Sequence, residues 1–267
     1  MSFKILYAVD LHGNKRLYDK LVEYSTKKKE IKAVIIGGDI CPRLEASLEE
    51  AVKLQKDFIE NFLIPKLKEI KKPLFIMMGN DDFRVNMNAL EKGEKQGVFK
   101  LLHKKINKIG NKNIIGYSFV NEMPFLLKDW EKLDDKDSKQ ITSPSMDIRT
   151  AAKEEGTIEE DMAKLKKLSS PKETIYVIHA PPFDTNLDMI LNRNHVGSRS
   201  VRKFIEKEQP FLVLSGHIHE SVTASGEFID RINNTVCINP GSEYMDNILN
   251  AAVIDLDNLK DIEHEMI

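Results

Sequence analysis

Six short apolar runs punctuate the chain: FKILYAVD from Phe3, KAVIIGGD from Lys32, PLFIMMGND from Pro73, TIYVIHAPP from Thr174, FLVLSGHIH from Phe211 and TVCINPGS from Thr235. Near-continuous hydrophobicity bounded by Gly is the pattern of strands buried on both faces, as in α/β layering. Between the runs, apolar residues recur at helical spacing. Leu48, Val52, Phe58, Phe62 and Leu63 define a helix across residues 45–69, which Pro65 kinks or ends. Val201, Phe204 and Ile205 mark a shorter one before Pro210. The C-terminal third has a different pattern, in which SVTASGEFIDRI, TVCINPGS and AAVIDLD read as short strands joined by tight turns, an antiparallel edge to a mixed sheet system. Residues 128–150, KDWEKLDDKDSKQITSPSMDIRT, are polar and turn-rich, so a surface insertion is expected there, disordered in part or covering a site. No internal repeat is visible, and residues 1–267 read as a single domain carrying that insertion.

Composition narrows the classes. With 267 residues, 41% of them hydrophobic, the chain can bury a large core. No apolar run approaches the ~18 residues of a membrane span, and the N-terminus passes directly into a strand-like segment, so no membrane partner and a cytoplasmic location are expected. Two cysteines, Cys41 and Cys237, make neither a disulfide framework nor a zinc clip and read as small buried hydrophobes. A formal charge of −2, from 40 basic and 42 acidic residues, does not point to nucleic acid. The lysine runs 27–29 and 104–105 read as solvated faces.

Each of the first five runs ends in a potential metal ligand: Asp10 with His12, Asp39, Asn80, His179, and His217 with His219. Taken singly, these have ordinary explanations as turn formers, caps or a hydrogen-bonded core histidine. Their recurrence is the signal, because the carboxyl ends of strands in open α/β sheets converge on one crevice. The residue types suit two divalent transition metal ions, with Mn, Fe, Zn, Co and Ni all admitted by mixed N/O ligation. Two such cations need a bridging carboxylate, and Asp39, after Gly37 and Gly38, is the expected bridge. The Asp-x-His and His-x-His pairs would face opposite sides of a strand, so they are expected in loops beyond the strand ends.

DLHG at 10–13, GGD at 37–39, GNDD at 79–82, His179 in VIHAPP and GHIH at 216–219 resemble, in order, the motif set of the calcineurin-like metallophosphoesterases, and the likeness spans nearly the whole chain. The resemblance implies a four-layer α/β/β/α sandwich of two mixed β-sheets flanked by helices, with a dinuclear metal site at the strand ends. It implies that Asp10, His12 and His219 hold one metal, that Asn80, His179 and His217 hold the other, and that Asp39 bridges them. NPGS at 239–242 matches the segment after the last ligand motif, where a structural turn is expected. The implied activity is hydrolysis of a phosphate ester, phosphodiester or activated phosphomonoester, by hydroxide generated between the cations. A small phosphorylated substrate is the expected partner, and homo-oligomerisation is left open.

GNDD departs from the pattern. Many phosphatases resembling this chain place a histidine at the position of Asp81 to protonate the leaving oxygen, oriented by the next acidic residue, here Asp82. An unperturbed Asp titrates near ~3.9 against ~6.5 for His, so Asp81 is expected to be ionised and to repel phosphate unless the two carboxylates share a proton. Losing general acid catalysis, worth roughly 10² to 10⁴, favours good leaving groups. His195 and Arg199, in NRNHVGSRS, can approach substrate instead; the alternative for His195 is to cap or pack the following helix. Two other functions fit the same motifs. One is a nuclease, against which stands the lack of a basic stripe interleaved with aromatics. The other is a metal-binding interaction scaffold, against which stand all seven ligands.

Overall fold

The computed structural model describes residues 2–43 and 47–267; the expected start of the first long helix at residues 45 and 46 lies outside them. The apolar runs form two six-stranded sheets. The first contains β1 (Lys4–Ala8), β2 (Ile31–Ile36), β3 (Leu74–Ile76), β4 (Lys100–Leu101), β11 (Asn250–Asp255) and β12 (Ile262–Met266), in the order β12-β11-β1-β2-β3-β4. The second contains β5 (Ile106–Ile109), β6 (Lys112–Tyr117), β7 (Thr174–Ile178), β8 (Leu212–Leu214), β9 (Ile229–Ile232) and β10 (Thr235–Ile238), in the order β5-β6-β7-β8-β10-β9. Strands β1 to β4 run parallel, as do β6, β7, β8 and β10, while β11, β12, β5 and β9 are antiparallel additions at the edges.

Period-2 alternation sorts each strand's side chains between two interfaces. Ile5, Tyr7, Ala33, Ile35 and Phe75 of the first sheet pack against Ile175, Val177, Leu212, Leu214 and Val236 of the second. The opposite faces take helices. Leu6, Ala8, Val34 and Ile36 meet Leu17, Tyr18 and Leu21 of α1 (Lys15–Lys27), and Tyr176 and Ile178 share a cluster with Met162 and Leu165 of α5 (Ile158–Leu165) and Phe204 and Ile205 of α6 (Arg199–Glu208). The result is the α/β/β/α sandwich. At the strand ends the Tyr7 hydroxyl, buried between the sheets, donates to the Ser215 carbonyl at 2.8 Å. Among the described residues no helix is long and apolar enough to cross a membrane.

Four features differ from the sequence reading. The long helix is α2 (Leu48–Phe58), a π-helical turn (Ile59–Leu63) and α3 (Ile64–Leu67), so it continues past Pro65 to Leu67. A wide turn directly ahead of the proline accommodates its missing N–H and its ring. SVTASGEFIDRI is not one strand: Ser221–Ser225 form the short helix α7, stopped by Gly226 at φ 86°, and β9 follows. The segment holding α4 (Met87–Lys95) and β4 to β6 was assigned no element from the sequence; β6 runs through Gly116, whose Cβ would meet Leu102 Cβ at 2.4 Å.

The fourth difference is a correction to the expected surface insertion at 128–150. Lys128, Asp129, Trp130, Glu131, Lys132 and Asp134 are buried, and the segment follows the surface only from Asp135 onward. Composition misleads here because each charge has a partner, which removes the penalty for burial. Lys128 Nζ lies 2.7 Å from Glu131, Lys132 Nζ 2.7 Å from Asp161, and Trp130 Nε1 donates to the Asp82 carbonyl at 2.9 Å. Asp134 accepts the Arg199 and Ser200 amides at 2.7 and 3.1 Å, together with the Ser198 hydroxyl, at the start of α6. Asp134→Ala is expected to destabilise the protein by about 2 kcal/mol, since a helix start would lose its buried acceptor. Urea unfolding checks this; an unchanged midpoint at constant slope would mean that Ser198 caps the helix alone.

Candidate metal centre

All seven expected ligands leave the sheets just beyond strand ends: Asp10 and His12 after β1, Asp39 after β2, Asn80 after β3, His179 directly after β7, and His217 and His219 after β8. Four of them have left-handed backbones, with φ of 55° at Asp10, 43° at His12, 48° at Asp39 and 68° at His217. Such conformations in non-glycine residues cost on the order of 1 to 3 kcal/mol each and persist only where the surroundings impose them. Here the loops hold one another: the Asp10 amide donates to the Gly38 carbonyl at 3.1 Å, His12 to Asp39 at 2.9 Å, and the His217 amide to Asp10 Oδ2 at 2.8 Å. The strained turns let side chains two residues apart converge.

Two groups result. In the first, ligand atoms of Asp10, His12, Asp39 and His219 lie within 4.8 Å of one another, and His12 Nε2 stands 2.9 Å from His219 Nε2. In the second, the Asn80 amide oxygen lies 3.0 Å from His179 Nε2 and 2.7 Å from His217 Nδ1. Asp39 stands between them, its Oδ2 3.8 Å from His12 Nε2 and 3.4 Å from His179 Nε2. Each group draws on both sheets, because Asp10, His12, Asp39 and Asn80 come from the first and the other three histidines from the second.

The donor set fits a metal. Asp10 Oδ1, which faces His179 and His219, is buried with no hydrogen-bond partner, which for a fully enclosed polar atom calls for an ion or water. Glycine makes the space: a Cβ on Gly79 would meet Asp39 Oδ1 at 2.2 Å, and one on Gly38 would meet His179 Nδ1 at 2.7 Å. His179 Nδ1 is 3.0 Å from the Gly37 carbonyl, which orients Nε2 toward the cluster. Burial lowers His12 and His217 to about 3 and His219 to about 4, so all three are neutral donors at neutral pH. Burial pulls His179 down as well, but Asp39 and Asp10 outweigh it and hold it up at about 9. Asp39 is drawn up by burial yet held well below the usual carboxylate range by His179 and His12. Asp10 is pushed up to about 8 by burial, eased by His179 and reinforced by Asp39.

The two aspartates of GNDD face different ways. Asp82 is wholly buried and turned from the cluster: it accepts the Gly79 and Ile40 amides at 2.8 and 3.0 Å on one oxygen and the Cys41 amide at 2.8 Å on the other. It ties the Asn80 loop to the Asp39 loop and is not placed to orient a proton donor. Asp81 pairs with Arg43 and accepts the Asn80 amide nitrogen at 2.9 Å, which turns the Asn80 oxygen toward His179 and His217. Burial and Asp39 push Asp81 up to about 6 against the pull of Arg43. Arg43 and Tyr244 are site residues that the sequence reading missed. Tyr244 packs on His12 and His219, with ring centroids 4.4 and 5.7 Å apart. No motif flags either, although CPR directly after GGD placed Arg43 near the bridge. Gln55 of α2, also unflagged, donates to the Asp81 carbonyl at 2.9 Å and accepts the Phe83 amide at 2.8 Å.

Beside the cluster opens a cleft of about 670 Å³ whose lining includes Arg43, Asn80, His217 and His219 together with Phe125, Ile141, His195 and Arg199. His195 does not cap α6, whose cap is Ser198; it lines the cleft, with Nδ1 2.7 Å from Asp188.

Residues 3–221 match the family described as calcineurin-like phosphoesterase. The chain matches no curated protein. Among solved structures it is similar to a novel archaeal phosphodiesterase at 13% identity and TM-score 0.47, covering 99% of this chain and 100% of that one. It is similar to the Thermus thermophilus sulfate thiohydrolase SoxB at 11% identity and TM-score 0.48, covering 97% of this chain and 43% of that one. A conserved uncharacterised protein of Streptococcus pneumoniae, described as a predicted phosphoesterase, is 11% identical with TM-score 0.35 over 100% of this chain and 99% of its own.

The titrations predict a coupling between metal and protons. Asp10 and His179, raised to about 8 and 9, hold protons at neutral pH that a cation must displace. Metal affinity of the apoprotein is therefore expected to climb as pH rises from about 6 to 9 and to level off above that. Calorimetry with Mn²⁺ in buffers of different ionisation enthalpy should show protons released at pH 7; an affinity independent of pH would refute it.

Proposed function

The chain belongs to the calcineurin-like phosphoesterase family, and on that footing we propose that it hydrolyses phosphodiesters or activated phosphomonoesters with two divalent transition metal ions. The observation that supports this most is the meeting of two donor groups around Asp39, with a buried Asp10 oxygen that no protein group satisfies. Asp10, His12 and His219 would hold one ion and Asn80, His179 and His217 the other, with Asp39 shared. When bound, the ions supply a hydroxide nucleophile at neutral pH and positive charge against the phosphate oxygens.

The chain's own residues shape the rest. Asp81 fixes the Asn80 amide and holds Arg43 at the rim, so the expected negative charge at position 81 reaches the cleft as a neutral pair with a guanidinium on its solvent side. That arrangement receives a phosphate where an isolated carboxylate would repel it. Arg43, Lys139 and Arg199 are the Lys and Arg side chains lining the cleft among the described residues, a set sized for a small phosphorylated substrate rather than for a nucleic-acid backbone.

Purified protein is expected to carry close to two transition metal ions per chain and to lose hydrolysis of bis(4-nitrophenyl) phosphate on chelation; full activity after verified metal removal would sink the reading. Asp39→Ala should deplete both ions, because without the shared carboxylate their repulsion is unscreened, whereas Asn80→Ala should retain one. Elemental analysis separates the two, and an Asp39→Ala protein holding both ions would reassign the bridge.

A further inference from the structure

The cleft that Asn80, His217 and His219 line is also lined by His195, which is paired with a carboxylate buried behind it. Asp188 is fully buried, and its oxygens accept the Thr185 and Gly197 amides at 2.9 Å each and the Asp184 amide at 3.2 Å, together with His195 Nδ1 at 2.7 Å. The close approach is built in: a Cβ on Gly197 would meet Asp188 Cβ at 2.8 Å and the Pro181 carbonyl at 2.5 Å. His195 is further held by a bridge between its own backbone and that of Met189, and by Phe183, edge-on at 6.1 Å. A carboxylate on Nδ1 fixes the proton on that nitrogen and turns Nε2 to the open side. The nearest carboxylate to Nε2 is Asp184 Oδ1 at 3.8 Å, beyond hydrogen-bonding reach.

We propose that His195, oriented by Asp188, is the proton donor to the leaving oxygen, so that the site accepts phosphodiesters of ordinary, weakly acidic alcohols. The inference rests on the phosphoesterase reading above. It also answers the missing histidine at position 81, since Asp81 is engaged by Arg43 and Asn80 while His195 lines the same cleft as the ligands Asn80, His217 and His219. Of the other acidic residues lining the cleft, Asp134 binds the start of α6, Glu122 accepts the Asp134 amide at 3.2 Å, and Glu220 directly follows the ligand His219. Met123, Phe125, Ile141 and Ile190 line the same cleft, Phe125 and Ile141 each 60% exposed, an apolar surface against which the organic group of the leaving alcohol can lie.

In the reaction, hydroxide oxygen forms the new bond to phosphorus as the ester P–O bond breaks, its electron pair passing to the leaving oxygen. That oxygen takes the Nε2 proton of the His195 imidazolium, whose Nδ1–H stays on Asp188, and water then reprotonates the imidazole.

The test uses metal-loaded full-length protein and two diesters that differ only in the leaving group, 4-nitrophenyl ethyl phosphate and phenyl ethyl phosphate, with metal content measured for each variant. His195→Gln is expected to lower kcat/KM for the phenyl ester by about a hundredfold or more and for the nitrophenyl ester by less than about tenfold, because only the poorer leaving group needs the proton. An equal loss on both esters, or none, would overturn the proposal. So would Glu122→Gln showing the selective loss while His195→Gln does not. If the unmodified protein cleaves neither ester, the phosphoesterase reading itself falls, a result distinct from the others.

Discussion

Two carboxylates and four imidazoles are pressed together in a dry seam where two sheets meet, and nothing in the protein neutralises all of them at once. Desolvating a charged group is unfavourable unless it is paired, and here the partners are one another. His179 and Asp39 settle into an ion pair, Asp10 is pushed toward its neutral form, and three histidines are held uncharged. The same crowding explains the twisted backbones at Asp10, His12, Asp39 and His217, and the glycines at 38 and 79 that leave room for the side chains. The surrounding fold confines groups that would otherwise separate.

That confinement comes from a layer of residues with no chemistry of their own. Asp82 gathers three backbone amides from two ligand loops, Trp130 fixes the Asp82 carbonyl, and Gln55 clamps the chain on either side of Asp82. Trp130 lies in the segment that looked like a surface insertion, and Gln55 on the helix with the π-turn. Elements remote in sequence thus set the positions of the donors, in the way outer partners orient metal ligands generally.

The strands and the convergence of the seven candidate side chains were legible because both follow simple periodic rules: buried parallel strands are continuous apolar runs, and their carboxyl ends share a crevice. Pairings across space were not. The role of Asp82 depends on amides 41 and 42 residues away, that of Asp188 on a histidine brought back by a loop, and neither distance leaves a pattern in a single sequence. The burial of residues 128–134 was hidden for the same reason, since Lys128 and Lys132 read as solvent-seeking until their carboxylate partners are seen. Tyr244 and Arg43 belong to no recurring spacing and were found only by proximity.

Each donor group takes members from both sheets, and between the sheets lies non-directional apolar packing, with directional bonds at the strand ends such as Tyr7 to Ser215, the His217 amide to Asp10 and His179 to the Gly37 carbonyl. Apolar packing resists separation more strongly than it resists sliding, because a small shift keeps most of the area covered. A bound ion resists sliding sharply, since its distances to His219 on one side and Asp10 on the other are fixed within tenths of an ångström. Metal loading would therefore act as a shear pin between the two halves of the sandwich. Stiffness along the seam, and not only chemistry at its end, becomes a property of the ions.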